Sequence, residues 1–294
     1  MRSISRLASL LAVLALPLAC SDDPVSPGAP SDGGTAADAA ALPDAAAVDA
    51  DSPDVDTTPD AEPLDSGVAP DSGMGNMCPA TEVPCQDESI QELGLFRAPN
   101  AATITNTATT GGFLSQIDAT AGGATPTRSY VYVRFTEAGL ERVDVGDEAA
   151  FTSTGWDMAM RRFVVRLNSG VSGPSCVTAR RAAPNLSFDE IDTLPTTPAR
   201  VEEYMTPAPA CALVSDGSGL PGSPGVALQS FWEYPGCVKM TGNVYVVSLA
   251  DGRHVKLQVL SYYSPANQLL CDTESRVNMP SGSGALRIKW AFLP

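Results

Sequence analysis

The sequence predicts an all-β domain built from antiparallel sheets, with one or two short helices, behind a leader and a long spacer. Three observations point there. Short segments rich in Val, Tyr, Phe and Trp alternate apolar and polar positions with the period of a strand. Gly- and Pro-rich stretches separate them, as turns do. Helical periodicity is weak and local by comparison.

Met1–Ala19 has the pattern of a secretory signal. Arg2 and Arg6 open it, and Leu7–Leu18 is apolar except for Ser9 and Pro17. A helical bilayer span needs roughly 20 apolar residues, which this run does not reach. Leu18-Ala19-Cys20-Ser21 is similar to a bacterial lipobox, although Pro17 stands where leucine is usual. Cys20 is therefore expected to be the acylated first residue of the mature chain, held to the membrane by its acyl groups. Ser21, not aspartate, after it is compatible with the outer membrane or cell surface. The competing reading is plain secretion, with Cys20 discarded.

Residues 20–77 form the expected tether. Between Ser21 and Met77 there are 12 Asp, one Glu and no Lys, Arg or aromatic residue. Such a segment cannot bury enough apolar surface to offset the entropy of ordering, so disorder is expected. No D-x-[DN]-x-[DN]-G calcium loop occurs in it. Most of the chain's net charge of −16 lies there. The remaining 78–294 segment carries no basic cluster longer than Arg161-Arg162 or Arg180-Arg181, which argues against nucleic acid as a partner.

Within 78–294 the strand signals come in order. Ser129–Phe135 places Val131, Val133 and Phe135 on one face. Arg162–Leu167 and Val226–Tyr234 read the same way. Asn243–Leu249 and His254–Tyr262 flank Ala250-Asp251-Gly252-Arg253, whose Asp-Gly centre suits a type I′ hairpin. Ala285–Phe292 alternates Leu286, Ile288 and Trp290 onto one side. Pro198–Met205 suits two helical turns with proline near the start. Gly122–Pro126 and Ser215–Gly225 read as loops.

Cys78, Cys85, Cys176, Cys211, Cys237 and Cys271 form an even set in an exported chain, so disulfides are expected, with 15 pairings open. Cys78–Cys85 closes the shortest loop; Cys176–Cys211 and Cys237–Cys271 would complete one such set. Zinc is the alternative, but no C-x₂-C spacing or histidine pair supports it. Catalysis finds little support. His254 is the one histidine and shares a solvated strand face with Lys256 and Gln258. No G-x-S-x-G, H-E-x-x-H or Walker A sequence is present. The expectation is a binding protein with no enzymatic activity.

Two segments resemble the HmuY family of haem-binding surface lipoproteins. Gly155–Cys176 carries Trp156-Asp157-Met158-Ala159, then Arg162-Phe163, then Arg166-x-Asn168-x-Gly170. Asn243–Tyr263 carries an aromatic strand, the Ala-Asp-Gly turn and a closing aromatic pair. Trp156, Asp157 and the Asn168-Ser169-Gly170 turn have structural roles in their own right. The resemblance implies an HmuY-like all-β fold and a haem pocket, with iron acquisition and an outer-membrane uptake receptor as partners. It also implies two axial histidines near Arg200–Pro207 and Phe231–Pro235. Neither stretch holds histidine. Methionine or tyrosine can ligate haem iron instead, which makes Tyr204, Met205, Trp232, Tyr234 and Met240 the candidate haem-binding residues. Trp232 and Tyr234 could equally stack on a flat ligand. The alternative is a protein-, glycan- or small-ligand-binding surface module on the same scaffold, without haem or other cofactor.

Overall fold

In β3 (Val131–Thr136), Val131, Val133 and Phe135 face inward, and in β12 (Ala285–Phe292) Leu286, Ile288 and Trp290 do the same; all six share one buried cluster. Alternation of this kind buries one face of each strand. The computed structural model describes residues 78–123 and 125–294. The leader Met1–Ala19, the acylation site Cys20 and the spacer to Met77 lie outside the described residues.

Two antiparallel sheets contribute to that cluster. The larger runs β1 (Ile104–Thr109), β2 (Gly112–Asp118), β12, β11 (His254–Ser261), β10 (Val244–Ser248) and β7 (Thr178–Arg181). The smaller runs β4 (Gly139–Val143), β3, β5 (Met158–Arg161) and β6 (Val164–Leu167). Asn106 ties β1 to β4 by copying a strand partner: its amide donates to the Leu140 carbonyl and its Oδ1 accepts from the Leu140 N–H, each at 3.0 Å. A third, two-stranded ribbon pairs β8 (Trp232–Glu233) with β9 (Lys239–Met240). Three short helices, α1 (Gln86–Glu92), α2 (Asp147–Ala150) and α3 (Pro265–Glu274), complete an all-β architecture.

Several expectations are corrected. Pro198–Met205 is not helical. Its backbone is drawn into bridges, Ala179 with Arg200 and Met205 with Leu213, and the Glu202 side chain is buried between them. Val226–Tyr234 is extended only at Trp232–Glu233, because Ala227 N–H is captured by the Glu202 carboxylate and Gln229 N–H by the Val226 carbonyl. The β10–β11 turn has only Gly252 in the left-handed region, at φ 87°, with Gly252 N–H bonded to Leu249 O. A type I′ turn requires both central residues there, so this is a type I turn closed by glycine.

All six cysteines of 78–294 are disulfide-bonded. Cys237–Cys271 pairs as anticipated, but the other two bonds are Cys78–Cys176 and Cys85–Cys211. The reason is local. Thr81 N–H bonds the Pro174 carbonyl at 2.9 Å, laying the first described residues along the 174–176 segment. Cys85 then starts α1 in the left-handed conformation and faces Cys211 instead of Cys78. Closing loops of 98 and 126 residues removes unfolded-chain entropy worth roughly 4–5 kcal/mol each in the loop model.

Candidate functional site

The hairpin joining β5 to β6 is two residues long, Arg162-Phe163, and its tip borders a cavity of about 740 Å³. That volume is within the range of small-molecule sites, roughly 300–1,000 Å³. Tyr262 and Tyr263, where β11 ends, form a second wall. The Leu220–Pro224 loop, the Leu93-Gly94 turn after α1, Tyr130 and Tyr234 close the rest.

The walls are aromatic and fixed. Phe163 meets Trp232 edge-on at 5.0 Å and Tyr262 at 5.9 Å, and Tyr262 meets Tyr263 at 4.7 Å. Such pairs add about 0.5–1.5 kcal/mol each beyond area burial and hold ring orientation. Trp232 Nε1 donates to the Phe163 carbonyl at 3.2 Å, so β8 supports the hairpin from behind. Val238 N–H donates to the Tyr263 hydroxyl at 3.0 Å. Burial pushes the Tyr262 phenol up to about 12 and raises that of Tyr263, so both stay protonated at neutral pH.

The five sequence candidates do not converge. Tyr234 lines the cavity and is 46% exposed. Trp232 packs behind Phe163, and Met240 pairs with Trp232 in the ribbon and packs against the main core. Tyr204 and Met205 lie in a different cluster, on the other face of the smaller sheet. The Tyr204 hydroxyl is already occupied, accepting from Arg166 and donating to the Val171 carbonyl, each at 3.1 Å. His254 is on the outer face of β11 and does not line the cavity.

Sequence reasoning did not single out Phe163, Tyr262, Tyr263 or the two hairpin arginines as site residues. A signal was available. The Tyr262-Tyr263 pair breaks the alternation of β11 by burying two successive side chains.

Behind Tyr130 lies a buried polar cluster. Arg166 is 1% exposed, stacked 4.0 Å from the Tyr130 ring centre and donating to the Tyr132 hydroxyl at 2.9 Å. The Tyr132 hydroxyl in turn donates a hydrogen bond to Asp147 at 2.9 Å, and Asp147 also accepts from the Tyr130 and Phe96 N–H groups. Glu202 accepts from Leu167 N–H at 2.8 Å and Ala227 N–H at 3.1 Å, and burial pushes its carboxyl up to about 7. Asp157 accepts from Phe135 N–H at 2.8 Å and is pushed up to about 6, again by burial. Trp156 is buried beside it and donates to Ala150 O at 3.2 Å, a packing role. Among the described residues, the one grouping of metal-ligating side chains is Cys85, Glu88 and Cys211, and its sulfurs are spent in a disulfide.

No family model and no curated protein matches the chain. Solved structures do show similarity. A lipoprotein of Bacteroides fragilis aligns at TM-score 0.40 and 16% identity, over 64% of this chain and 92% of its own. An HmuY-like heme-binding protein of Bacteroides vulgatus aligns at 0.38 and 18%, over 67% and 98%. An apo HmuY analogue of Tannerella forsythia aligns at 0.35 and 14%, over 66% and 100%.

Proposed function

We propose that the chain is a membrane-anchored surface lipoprotein, acylated at Cys20, whose 78–294 domain binds a flat, largely apolar ligand in the β5–β6 cavity. The observation that carries this is the aromatic wall of Phe163, Tyr262 and Tyr263, buttressed by Trp232 and open to a single exposed phenol, Tyr234. A concave site with rigid aromatic sides suits a planar ring system. The Trp156–Gly170 and Asn243–Tyr263 resemblances to HmuY make haem the leading candidate, with an uptake receptor as the next partner.

The residues fit the ring better than the metal. Among the described residues, neither methionine nor histidine lines the cavity. Tyr263 is engaged by Val238, Tyr130 lies against two guanidinium groups and Tyr262 is buried. Tyr234 is the side chain left to hold iron, as tyrosinate does in some haem proteins. The lack of nitrogen and sulfur donors favours a second reading, in which the flat ligand carries no metal.

Titrating the mature chain with haemin and with iron-free protoporphyrin separates these. Haem binding predicts a Soret shift at micromolar haemin that Tyr234→Phe alters. Binding of both porphyrins with no effect of Tyr234→Phe supports the metal-free reading. If neither binds, the cavity assignment fails. Anchoring predicts that Cys20→Ala moves the chain from the membrane to the soluble fraction; a variant that stays with the membrane refutes it.

A further inference from the structure

Two neighbouring arginines line the cavity, and the structure uses them differently. Arg161 is committed. It is 7% exposed, donates to the Gly94 carbonyl at 2.9 Å and to that of Leu93, stacks 4.2 Å from the Tyr130 ring centre and lies 3.9 Å from Asp147. It fastens the end of α1 to β5.

Arg162 does no comparable work. Among the described residues its guanidinium makes one hydrogen bond, to the Gly123 carbonyl at 2.6 Å, and it sits 6.0 Å from the Tyr262 ring centre. Among the described residues no carboxylate comes within ion-pair distance of it, although Glu92 also lines the cavity. Its backbone is strained as well. Arg162 has φ 54° at the tip of a two-residue hairpin, where the left-handed region favours glycine or asparagine. The turn is locked in that shape by Arg162 N–H on the Ala119 carbonyl at 2.7 Å. Of the other non-glycine residues with positive φ among those described, Ser275 ends α3 and Cys85 and Cys211 share a disulfide, while Ala121 and Ser230 are small side chains in turns. A large side chain held at a glycine-favouring position, with most of its donor fork unspent, points to a ligand.

We propose that Arg162 is the anion-binding residue of the cavity, and that the ligand is an aromatic compound bearing a carboxylate. This rests on the ligand-binding reading above. The rings lie along Phe163 and Tyr262, and the carboxylate takes the open fork of Arg162 in a bidentate pair. One uncommitted cation balances one carboxylate; a phosphate dianion would call for more positive charge than the lining offers.

The test uses 1-pyrenebutyrate and 1-pyrenebutanol, which share a ring and differ in the acid group, read by fluorescence anisotropy on the mature chain. Wild type is expected to bind the butyrate about tenfold or more tightly than the alcohol, the usual effect of a hydrogen bond to a charged group. Arg162→Gly is expected to bind the two alike, with an unfolding midpoint unchanged or higher, because glycine accepts this φ without strain. Equal binding by wild type, or a preference that survives in Arg162→Gly, overturns the assignment and leaves the cavity reading standing. A lowered midpoint in Arg162→Gly would show a structural role and also overturn it. If wild type binds neither probe, the cavity reading falls and takes this one with it.

Discussion

The two faces of the β4-β3-β5-β6 sheet are made by the same strands and hold opposite chemistry. Val131, Val133, Met158, Met160, Val165 and Leu167 point one way into an apolar core. Tyr130, Tyr132, Arg161 and Arg166 point the other way, to meet Tyr204, Asp147 and α1. The first face is held by burial, which has no preferred direction. The second depends on matching its buried donors to acceptors, as it does for all but a few such as Arg166 Nε, since an unmatched group costs about 1–3 kcal/mol and a buried charge more. The lesson is that the apolar face tolerates exchange of shape, whereas the polar face behaves as one unit.

That contrast can be broken most directly at Asp147. Asp147→Ala removes the acceptor for Tyr132, Tyr130 N–H and Phe96 N–H and takes away the carboxylate beside the buried Arg161. The expected loss is about 3–5 kcal/mol by urea unfolding, against about 1 kcal/mol for Ile288→Val in the apolar core. Equal losses would erase the distinction.

A smaller effect sharpens it through pH. Glu202 in the folded chain titrates near 7 against an ordinary 4.5, so the folded state holds this proton more tightly than the unfolded one. Its contribution is therefore complete below about 4.5 and is lost as pH rises to about 7, on the order of 3 kcal/mol in all. Glu202→Gln should flatten that decline, leaving the slope below pH 6 that belongs to Asp157. Parallel profiles for variant and wild type, measured by thermal unfolding, would contradict the assignment.

Much of the apolar side was legible in the sequence. The stretches around β3, β6, β10, β11 and β12 were readable because alternating Val, Ile, Tyr and Trp declare both strand and face. β1 and β2 were not: ITNTAT and GFLSQID are too polar to stand out, and the hairpin they form is placed by the pairing of β2 with β12, far along the chain. The polar face was invisible for a different reason. A fully buried arginine is rare, so Arg166 reads as a solvent-facing position until Tyr132 and Tyr204 are seen around it. Of the five residues the sequence nominated, Tyr234 is the one that lines the cavity. The Arg162-Phe163 tip needed the backbone angle, which no residue pattern prints.

The Cys78–Cys176 bond has a mechanical consequence. It joins the first described residue to the connection between β6 and β7. A pull transmitted along the preceding chain therefore enters the domain at Cys176, an exposed residue of the β6–β7 connection, and does not peel α1 away turn by turn. With that bond reduced, the same load would fall on contacts such as the Thr81–Pro174 hydrogen bonds and the buried Val83 before reaching Cys85. The oxidised protein thus meets tension as a clamp, and the reduced one as a zip.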